Sequence, residues 1–307
     1  MDTEQTKDRK ESIENSSIVT GPSKTAEVIA IIRAMESRRP EEERIYYDPY
    51  AVNFISRETM EYYNSHTAEA RATLEQSERL VPGVGISCLV RARYFDDIVK
   101  ASMADGLEQL VLLGAGYDSR AYRIEGIEHV RIFEVDSPAT QKLKTDKIRE
   151  IFGMLPGHVT YVPADLVVDD LDQRLAESGY DTSRKTLFLL EGLLMYLPPI
   201  AVDKVLAFIA HSSGKGGAMV FDYIPASVVD GTCKLKAGRN WQKGVTDAGE
   251  PFLFGVDEVA LEAFLSERGF ILRQRMTNRD YRMAYLHGKN EGMPVNSLLS
   301  FAYAAIR

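Results

Sequence analysis

The spacing of apolar positions divides the chain into a helical front and an alternating remainder. In residues 24–37 apolar side chains recur every three or four positions, as they do on the buried face of a helix. The same spacing predicts three further helices, over residues 50–64, 68–80 and 85–103. No strand-like alternation interrupts this front part, so we expect it to form a helical unit.

Beyond this point short apolar runs alternate with helical stretches. The runs predict strands over residues 109–113, 129–135, 158–162, 186–190 and 218–223. The stretches between them predict helices over residues 137–152, 169–178 and 200–211. Strands that alternate with helices form a parallel sheet with helices on both faces, so the pattern predicts a Rossmann-like, doubly wound α/β fold.

The last part of the chain adds two strands and a long connection. Residues 256–268 read as a helix, and residues 271–276 and 281–286 read as a hairpin that puts one antiparallel strand at the end of a seven-stranded sheet. Residues 224–254 are too long for an ordinary connection, and we interpret them as an insert that covers a site.

These elements suggest three regions. Residues 1–21 are polar and lack the apolar core of a secretory signal, so we expect a flexible tail. Residues 22–105 would form a helical cap, and residues 106–307 a sheet domain that carries the insert.

Composition narrows the possible partners. The chain is 45% apolar and 27% charged, with a net charge of −8, so it lacks the basic surface that nucleic acids and anionic membranes attract. No apolar run is long enough to span a bilayer. Cys88 and Cys233 are too few for a disulfide framework, which favours the cytoplasm. We therefore expect a small-molecule ligand, with neither nucleic acid nor a membrane as partner.

A glycine-rich loop follows the first predicted strand in the run VLLGAGYDSRAYR. Gly114 and Gly116 would let a ligand approach the backbone closely, with a tight turn as the alternative explanation of such a pair. Ser119 stands where dinucleotide-binding loops have a third glycine, and the carboxylate of Asp118 would repel a pyrophosphate. The loop therefore argues against a nicotinamide cofactor and favours a cationic ligand.

Acidic residues stand at three further strand ends. Asp136 is suited to accept hydrogen bonds from ribose hydroxyls, although it could instead cap the next helix. Asp165 with Leu166 could meet the edge and face of an adenine. Glu191, among apolar neighbours, would need a cationic partner to be buried.

An arginine before the first strand completes the set. Arg91 and Arg93 each offer the planar fork that binds a carboxylate, and Arg91 is the more readily explained as a solvent-exposed ion pair. This set of residues matches S-adenosylmethionine (SAM). The acids suit its ribose, its adenine and its cationic sulfonium, and the arginine suits its carboxylate.

Other kinds of site find little support in the sequence. The five histidines show neither the i, i+4 spacing nor the neighbouring cysteines of a metal centre. A G-x-S-x-G nucleophile motif is absent, and so is the phosphate-binding motif G-x-x-x-x-G-K-[ST]. We expect no metal.

Seven motifs in order resemble one family. They are TAEVIAIIRAMESR, YYDPYA, VRARYFDD, LLGAGYDSRAYR, FEVDSP, PADL and LEGLLMYL. Together they resemble the leucine carboxyl methyltransferase family of SAM-dependent O-methyltransferases, and most closely its bacterial and archaeal branch with polyketide-type members. The rival interpretations are an NAD(P)-dependent Rossmann oxidoreductase and a non-catalytic SAM-binding protein.

The resemblance implies roles for individual residues. The expected cofactor contacts are Arg93 for the methionine carboxylate, Gly114 for the methionine moiety, Asp136 for the ribose, Asp165 and Leu166 for the adenine, and Glu191 for the methionine amino group. In the eukaryotic members a lysine of the first helix also contacts the carboxylate. Lys24 is near the corresponding place, with Thr25 as the alternative.

The acceptor and its catalytic group are less constrained: we expect a carboxylate or hydroxyl of a small molecule, with a protein C-terminus as the alternative acceptor. A carboxylate acceptor needs no general base, whereas a phenol would benefit from one, and Tyr196 and Tyr223 are the candidates. Two groups of side chains favour an anionic or aromatic acid as acceptor: Tyr46, Tyr47, Tyr50, Tyr62 and Tyr63 in the front helices, and Lys234, Lys236, Arg239 and Lys243 in the insert. The oligomeric state stays open.

Overall fold

Four helices precede the sheet in the computed structural model, which describes Gly21 and residues 23–307. They are α1 (Lys24–Ser37), α2 (Arg57–Ser65), α3 (Thr67–Leu80) and α4 (Val84–Ala104). The helix expected over residues 50–64 is divided, because the Ser56 side chain caps α2 by accepting from the amide of Thr59. Nearly all of the expected tail, residues 1–21, lies outside the described residues.

Seven strands form one sheet behind these helices. They are β1 (Gln109–Leu113), β2 (Arg131–Asp136), β3 (Val159–Pro163), β4 (Thr186–Leu190), β5 (Ala218–Tyr223), β6 (Phe270–Met276) and β7 (Ser300–Ile306). Their order is β3-β2-β1-β4-β5-β7-β6. β7 runs in the opposite direction to the other six strands and pairs antiparallel with both β5 and β6. The predicted fold class is therefore confirmed.

Helices cover both faces of the sheet. They are α5 (Arg120–Arg123), α6 (Pro138–Phe152), α7 (Leu171–Glu177), α8 (Pro199–His211), α9 (Ala226–Val229), α10 (Lys236–Asp247), α11 (Leu261–Ser266) and α12 (Asn278–Tyr285). Every residue of β1, β4 and β5 is buried, as expected for central strands that read as continuous apolar runs. Among the described residues no helix is both long and apolar enough to cross a membrane.

The last two strands differ from the expected hairpin. Residues 281–286 were predicted as a strand, but α12 occupies this part of the chain. Thr277 and Asp280 form a capping box that starts the helix, and the buried Tyr281 donates to the carbonyl of Asn296. The final strand is β7, which inserts between β5 and β6.

The strand order places a crevice at the carboxyl ends of β1 and β4. The chain moves from β1 to β2 and β3 on one side, and then returns to β4 and β5 on the other. At such a switch point the loops that leave the two central strands diverge, and ligands of open α/β sheets bind in the gap between them.

Candidate active site

One large cavity opens at this crevice. Its volume is about 1,090 Å³, above the usual range of roughly 300–1,000 Å³ for a small-molecule site. The predicted residues that line it are Lys24, Thr25, Gly114, Asp136, Asp165, Leu166, Glu191 and Tyr196. Arg93 and Tyr223 do not line it. The structure thus brings most of the sequence-predicted site together.

The glycine-rich loop lies against the second strand. Gly114 has a φ of +66°, and a side chain there would come within 2.8 Å of the Leu193 side chain. Gly116 donates its amide to Asp136 Oδ2 at 2.6 Å. The positive φ is the main reason for glycine at position 114, because residues with a side chain rarely adopt this backbone conformation.

Asp136 ends β2 at the floor of the cavity. Its Oδ1 accepts from the amide of Ser137 at 2.6 Å, so each oxygen holds one backbone N–H and retains a free lone pair. Burial raises the pKa of this carboxyl, although both backbone hydrogen bonds act in the opposite direction. The arrangement fits an acid that accepts from two hydroxyl groups.

Asp165 and Leu166 line the cavity after β3. Asp165 accepts from the amide of Val167 at 2.9 Å, and its own amide donates to Asp169 Oδ2 at 2.8 Å. These bonds hold a tight turn in which an acidic edge lies next to an apolar surface. That combination fits the edge and face of a purine.

Of the two arginines expected from the sequence, Arg91 lines the cavity, and the expectation for Arg93 has to be corrected. The Arg91 side chain is 7% exposed and pairs with Glu191 at 3.1 Å and with Asp222 at 2.7 Å. The Arg93 side chain is 49% exposed and pairs with Asp97. Positions i and i+2 of a helix lie about 200° apart around its axis, so only one of these two arginines can face the sheet.

Glu191 has its cationic partners within the protein. Besides Arg91, the guanidinium of Arg120 lies 2.6 Å from Glu191 Oε2. Asp222, which sequence reasoning overlooked, accepts from the amide of Gly192 at 2.6 Å. Burial raises the pKa of Asp222 despite the adjacent Arg91. At the inner end of the cavity the guanidinium groups of Arg91 and Arg120 are thus paired with the carboxylates of Glu191 and Asp222.

The same network neutralises Asp118. Burial is the largest single influence and would raise the pKa of this carboxyl, but the charges of Arg120, Lys144 and Arg123 together with the backbone amide of Arg120 hold the pKa at about 2. Arg120 also binds Asp96 on α4 at 2.7 Å. Asp118 is thus a structural anion that fixes the loop.

Helix α1 is joined to the insert at the mouth of the cavity. The carboxylate of Glu250 accepts from the hydroxyl of Ser23 and from the amides of Lys24 and Thr25, each at 3.1 Å. It also accepts from the Thr25 hydroxyl. A carboxylate at a helix N-terminus satisfies free amides and complements the helix dipole. We call this contact the Glu250 latch.

Only one candidate tyrosine reaches the cavity. Tyr196 packs against the ring of Phe252 at 5.3 Å, and burial raises the pKa of its hydroxyl above the usual range. Tyr223 is 3% exposed and lies beside Ser300 of β7, away from the cavity. The expectation for Tyr223 is therefore wrong in its location.

The expected acceptor-binding side chains also lie elsewhere. None of the five front tyrosines and none of the four insert cations named above lines the cavity. Tyr46 packs under Arg123, and Lys243 pairs with Asp247 on the outer face of α10. Trp241 of the same helix does line the cavity. Within the described part of the chain, no group of three or more His, Cys, Asp or Glu residues is arranged to hold a metal ion.

Solved structures share this fold. A "putative methyltransferase" from Thermobifida fusca has a TM-score of 0.53 at 16% identity, over 77% of this chain and 88% of that one. A DUF574 family protein from Streptomyces avermitilis has a TM-score of 0.54 at 12% identity, over 91% of this chain and 97% of that one. At such low identity these likenesses establish the fold alone.

Sequence relatives are closer. A protein of Mycobacterium sp. is 30% identical over 254 residues, which is 82% of this chain and 83% of the relative. A protein of Streptomyces coelicolor is 36% identical over 64% of this chain and 66% of the relative. Both are named "putative S-adenosyl-L-methionine-dependent methyltransferase". The family model for leucine carboxyl methyltransferase matches residues 26–210. The chain therefore belongs to the leucine carboxyl methyltransferase family.

Proposed function

We propose that the protein is a SAM-dependent O-methyltransferase that methylates a carboxylate or hydroxyl oxygen of a small-molecule acceptor. Family membership and the names of the relatives support SAM-dependent methyl transfer. The family description, which names a carboxyl group, supports oxygen as the acceptor atom. The observation that carries the proposal is the meeting of Asp136, Asp165, Leu166 and Arg91 in one cavity.

The donor set suits each part of SAM. Asp136 has free lone pairs for the ribose hydroxyls, and Asp165 with Leu166 offers an acidic edge and an apolar face for the adenine. Arg91 and Glu191 form a paired cation and anion at the inner end, which complements the carboxylate and amino group of the methionine moiety. We therefore assign the methionine carboxylate to Arg91.

SAM supplies a methyl group on a sulfonium: the acceptor oxygen forms the new C–O bond while the C–S bond breaks, and its electron pair stays on sulfur. Such a displacement needs alignment and exclusion of water more than acid–base chemistry. The loops after β1 and β4 supply the alignment, and α1 closes over the insert through the Glu250 latch.

Tyr196 is the residue best placed to orient a hydroxyl acceptor. Its raised pKa keeps the phenol protonated at neutral pH, so it can donate or accept a hydrogen bond but does not act as a strong base. The proton of a hydroxyl acceptor would pass to water. A carboxylate acceptor is already ionised and requires no such step.

The alternatives of a nicotinamide oxidoreductase and a non-catalytic SAM-binding protein have less support. In a dinucleotide site the helix after the glycine loop receives the pyrophosphate, whereas here that helix is the four-residue α5, whose Arg120 is buried. The names of the relatives, which are those of methyltransferases, favour catalysis over SAM binding alone. Two free, buried cysteines accord with a cytoplasmic location.

Ligand mass and product chemistry test the proposal. Mass spectrometry of small molecules released from the purified protein should find SAM or S-adenosylhomocysteine (SAH). Incubation with methyl-labelled SAM and a small-molecule cell extract should give a labelled ester or ether. A released nicotinamide dinucleotide would contradict the cofactor assignment, and label only on nitrogen or carbon would contradict O-methylation.

A further inference from the structure

The outer half of the cavity has a different chemistry from the inner half. It is walled by apolar side chains from three elements, α1, the α3–α4 corner and α10. We call this part the apolar chamber and define it by Val28, Ile32, Leu80, Val84, Trp241 and Val245. It is continuous with the crevice that holds Asp136 and Arg91, so a molecule in the chamber can reach the methyl group of a bound cofactor.

The chamber is a built surface whose walls are fixed to one another. Asn240 of α10 donates to the carbonyl of Leu80 at 3.0 Å, which joins the insert to the end of α3. The Trp241 ring meets the buried Phe252 edge-to-face at 5.2 Å. Val28 is nevertheless 53% exposed and Leu80 41% exposed, so apolar side chains face open space at the chamber mouth. A concave wall of apolar side chains is typical of small-molecule sites.

None of the six side chains that define the chamber is charged. Of the basic residues that line the rest of the cavity, Arg33 and Arg91 are held by the buried acids Asp48 and Asp222, and Lys24 is an exposed residue at the N-terminus of α1, beside Glu250. A carboxylate carried into the chamber would lose water without meeting a fixed cation, which is strongly unfavourable.

We propose that the methyl acceptor has an uncharged body of alkyl or aryl carbon that fills the apolar chamber, with the reacting oxygen at its inner end. This proposal rests on the proposed function, because it treats the chamber as the acceptor end of a methyltransferase site. The sequence predicted an anionic or aromatic acid as acceptor. An uncharged acceptor body differs from the anionic expectation, which came from the basic side chains of the insert, and agrees with the aromatic one.

A neutral fluorescent probe, N-phenyl-1-naphthylamine, tests the chamber directly. The full chain should bind it, with enhanced fluorescence, and 4-hexylphenol should displace it at concentrations at least tenfold lower than 6-(4-hydroxyphenyl)hexanoate. These two competitors share a phenol and differ at the far end, where one carries a carboxylate. Equal displacement by both would overturn the proposal.

Charge substitutions at Val28 supply the matched comparison. Val28→Asp should weaken probe binding about tenfold or more, whereas Val259→Asp, at a position that is 95% exposed and outside the cavity, should not. Val28→Lys should improve displacement by the carboxylate competitor, a gain that misfolding cannot produce. Probe binding that is insensitive to both Val28 substitutions would also overturn the proposal.

Calorimetry with SAH on the same preparations separates this inference from the proposed function. If SAH fails to bind but the probe and competitors behave as stated, the proposed function fails, and the chamber remains a site for a neutral apolar ligand without a methyl acceptor's role. If SAH binds and the charged competitor is preferred, the chamber assignment fails and the proposed function stands.

Discussion

The carboxylate of Asp48 accepts a hydrogen bond of 2.7 Å from the hydroxyl of Ser119, which joins the front helices to the glycine-rich loop. Asp48 also pairs with Arg33 of α1 at 3.2 Å, and Arg33 donates to the carbonyl of Tyr117 at 2.7 Å. The front of the chain is thus fixed to the loop at the cavity floor. This contact joins a residue of the motif YYDPYA to a residue of the motif LLGAGYDSRAYR.

Replacement of Asp48 should therefore destabilise the fold strongly. Asp48→Ala leaves the buried guanidinium of Arg33 without its anion, which typically costs about 3–5 kcal/mol. Ser119→Ala removes the hydrogen bonds to Asp48 and from Arg123 but leaves the Arg33–Asp48 ion pair in place, so it should cost less, about 1–3 kcal/mol. Denaturant unfolding of both variants measures the difference, and equal costs would contradict the role given to Asp48.

The two arginines of α4 should behave differently. Arg91→Ala leaves the buried Asp222 unpaired and should cost about 3–5 kcal/mol of stability. Arg93→Ala removes a half-exposed pair and should cost at most about 1 kcal/mol. Arg91→Lys retains the charge without the planar fork, so it should keep most of the stability and still weaken SAM binding. SAM affinity that depends on Arg93 rather than Arg91 would reverse this assignment.

Asp136 should contribute more to cofactor binding than to folding. Asp136→Ala should weaken SAM roughly 10- to 150-fold, the equivalent of about 1.5–3 kcal/mol for hydrogen bonds to a charged group. The exposed Asp172 provides a control, and its replacement by Ala should leave SAM affinity unchanged. An unchanged dissociation constant for Asp136→Ala would reduce Asp136 to a cap for α6.

The raised pKa of Asp136 also predicts a pH dependence. The ionised carboxylate is the form that accepts from ribose, so SAM affinity should be highest above the pKa and should fall as pH decreases through it. Because burial raises this pKa, the loss should begin at a higher pH than the ordinary aspartate value of about 3.9. Titrations at several pH values measure this effect, which Asp136→Asn should abolish.

The Glu250 latch should control the release of the product. Glu250→Gln removes the negative charge that four donors of Ser23, Lys24 and Thr25 share, so the contact between α1 and the insert should loosen. Stopped-flow measurements should show faster SAH dissociation for this variant. Glu262 is exposed, and Glu262→Gln serves as the control. Identical SAH dissociation rates in the unmodified protein and both variants would exclude a gating role for Glu250.

Much of this site was predictable because strand ends are easy to locate. The apolar runs that form β1 to β4 stop at or just before Gly114, Asp136, Asp165 and Glu191, and parallel strands bring their carboxyl ends to one edge. Asp222 was overlooked because it lies inside the apolar run of β5 instead of after it.

Helix rotation and long-range packing were harder to predict. Arg91 and Arg93 differ only in the side of α4 that they occupy, and a helix that is apolar on several sides does not specify which arginine faces inward. The acceptor residues were misassigned for a related reason: tyrosines and lysines suggested chemistry, whereas the cavity wall is made of valine, isoleucine and leucine side chains that read as ordinary core.

Calorimetric titration with SAM and SAH tests the central claim most directly. The account predicts that the folded chain binds both with micromolar-range dissociation constants, on the order of −8 kcal/mol, and that Asp136→Ala weakens both. Absence of heat and of a thermal shift with either ligand, on protein shown to be folded, would contradict the assignment of this cavity to SAM.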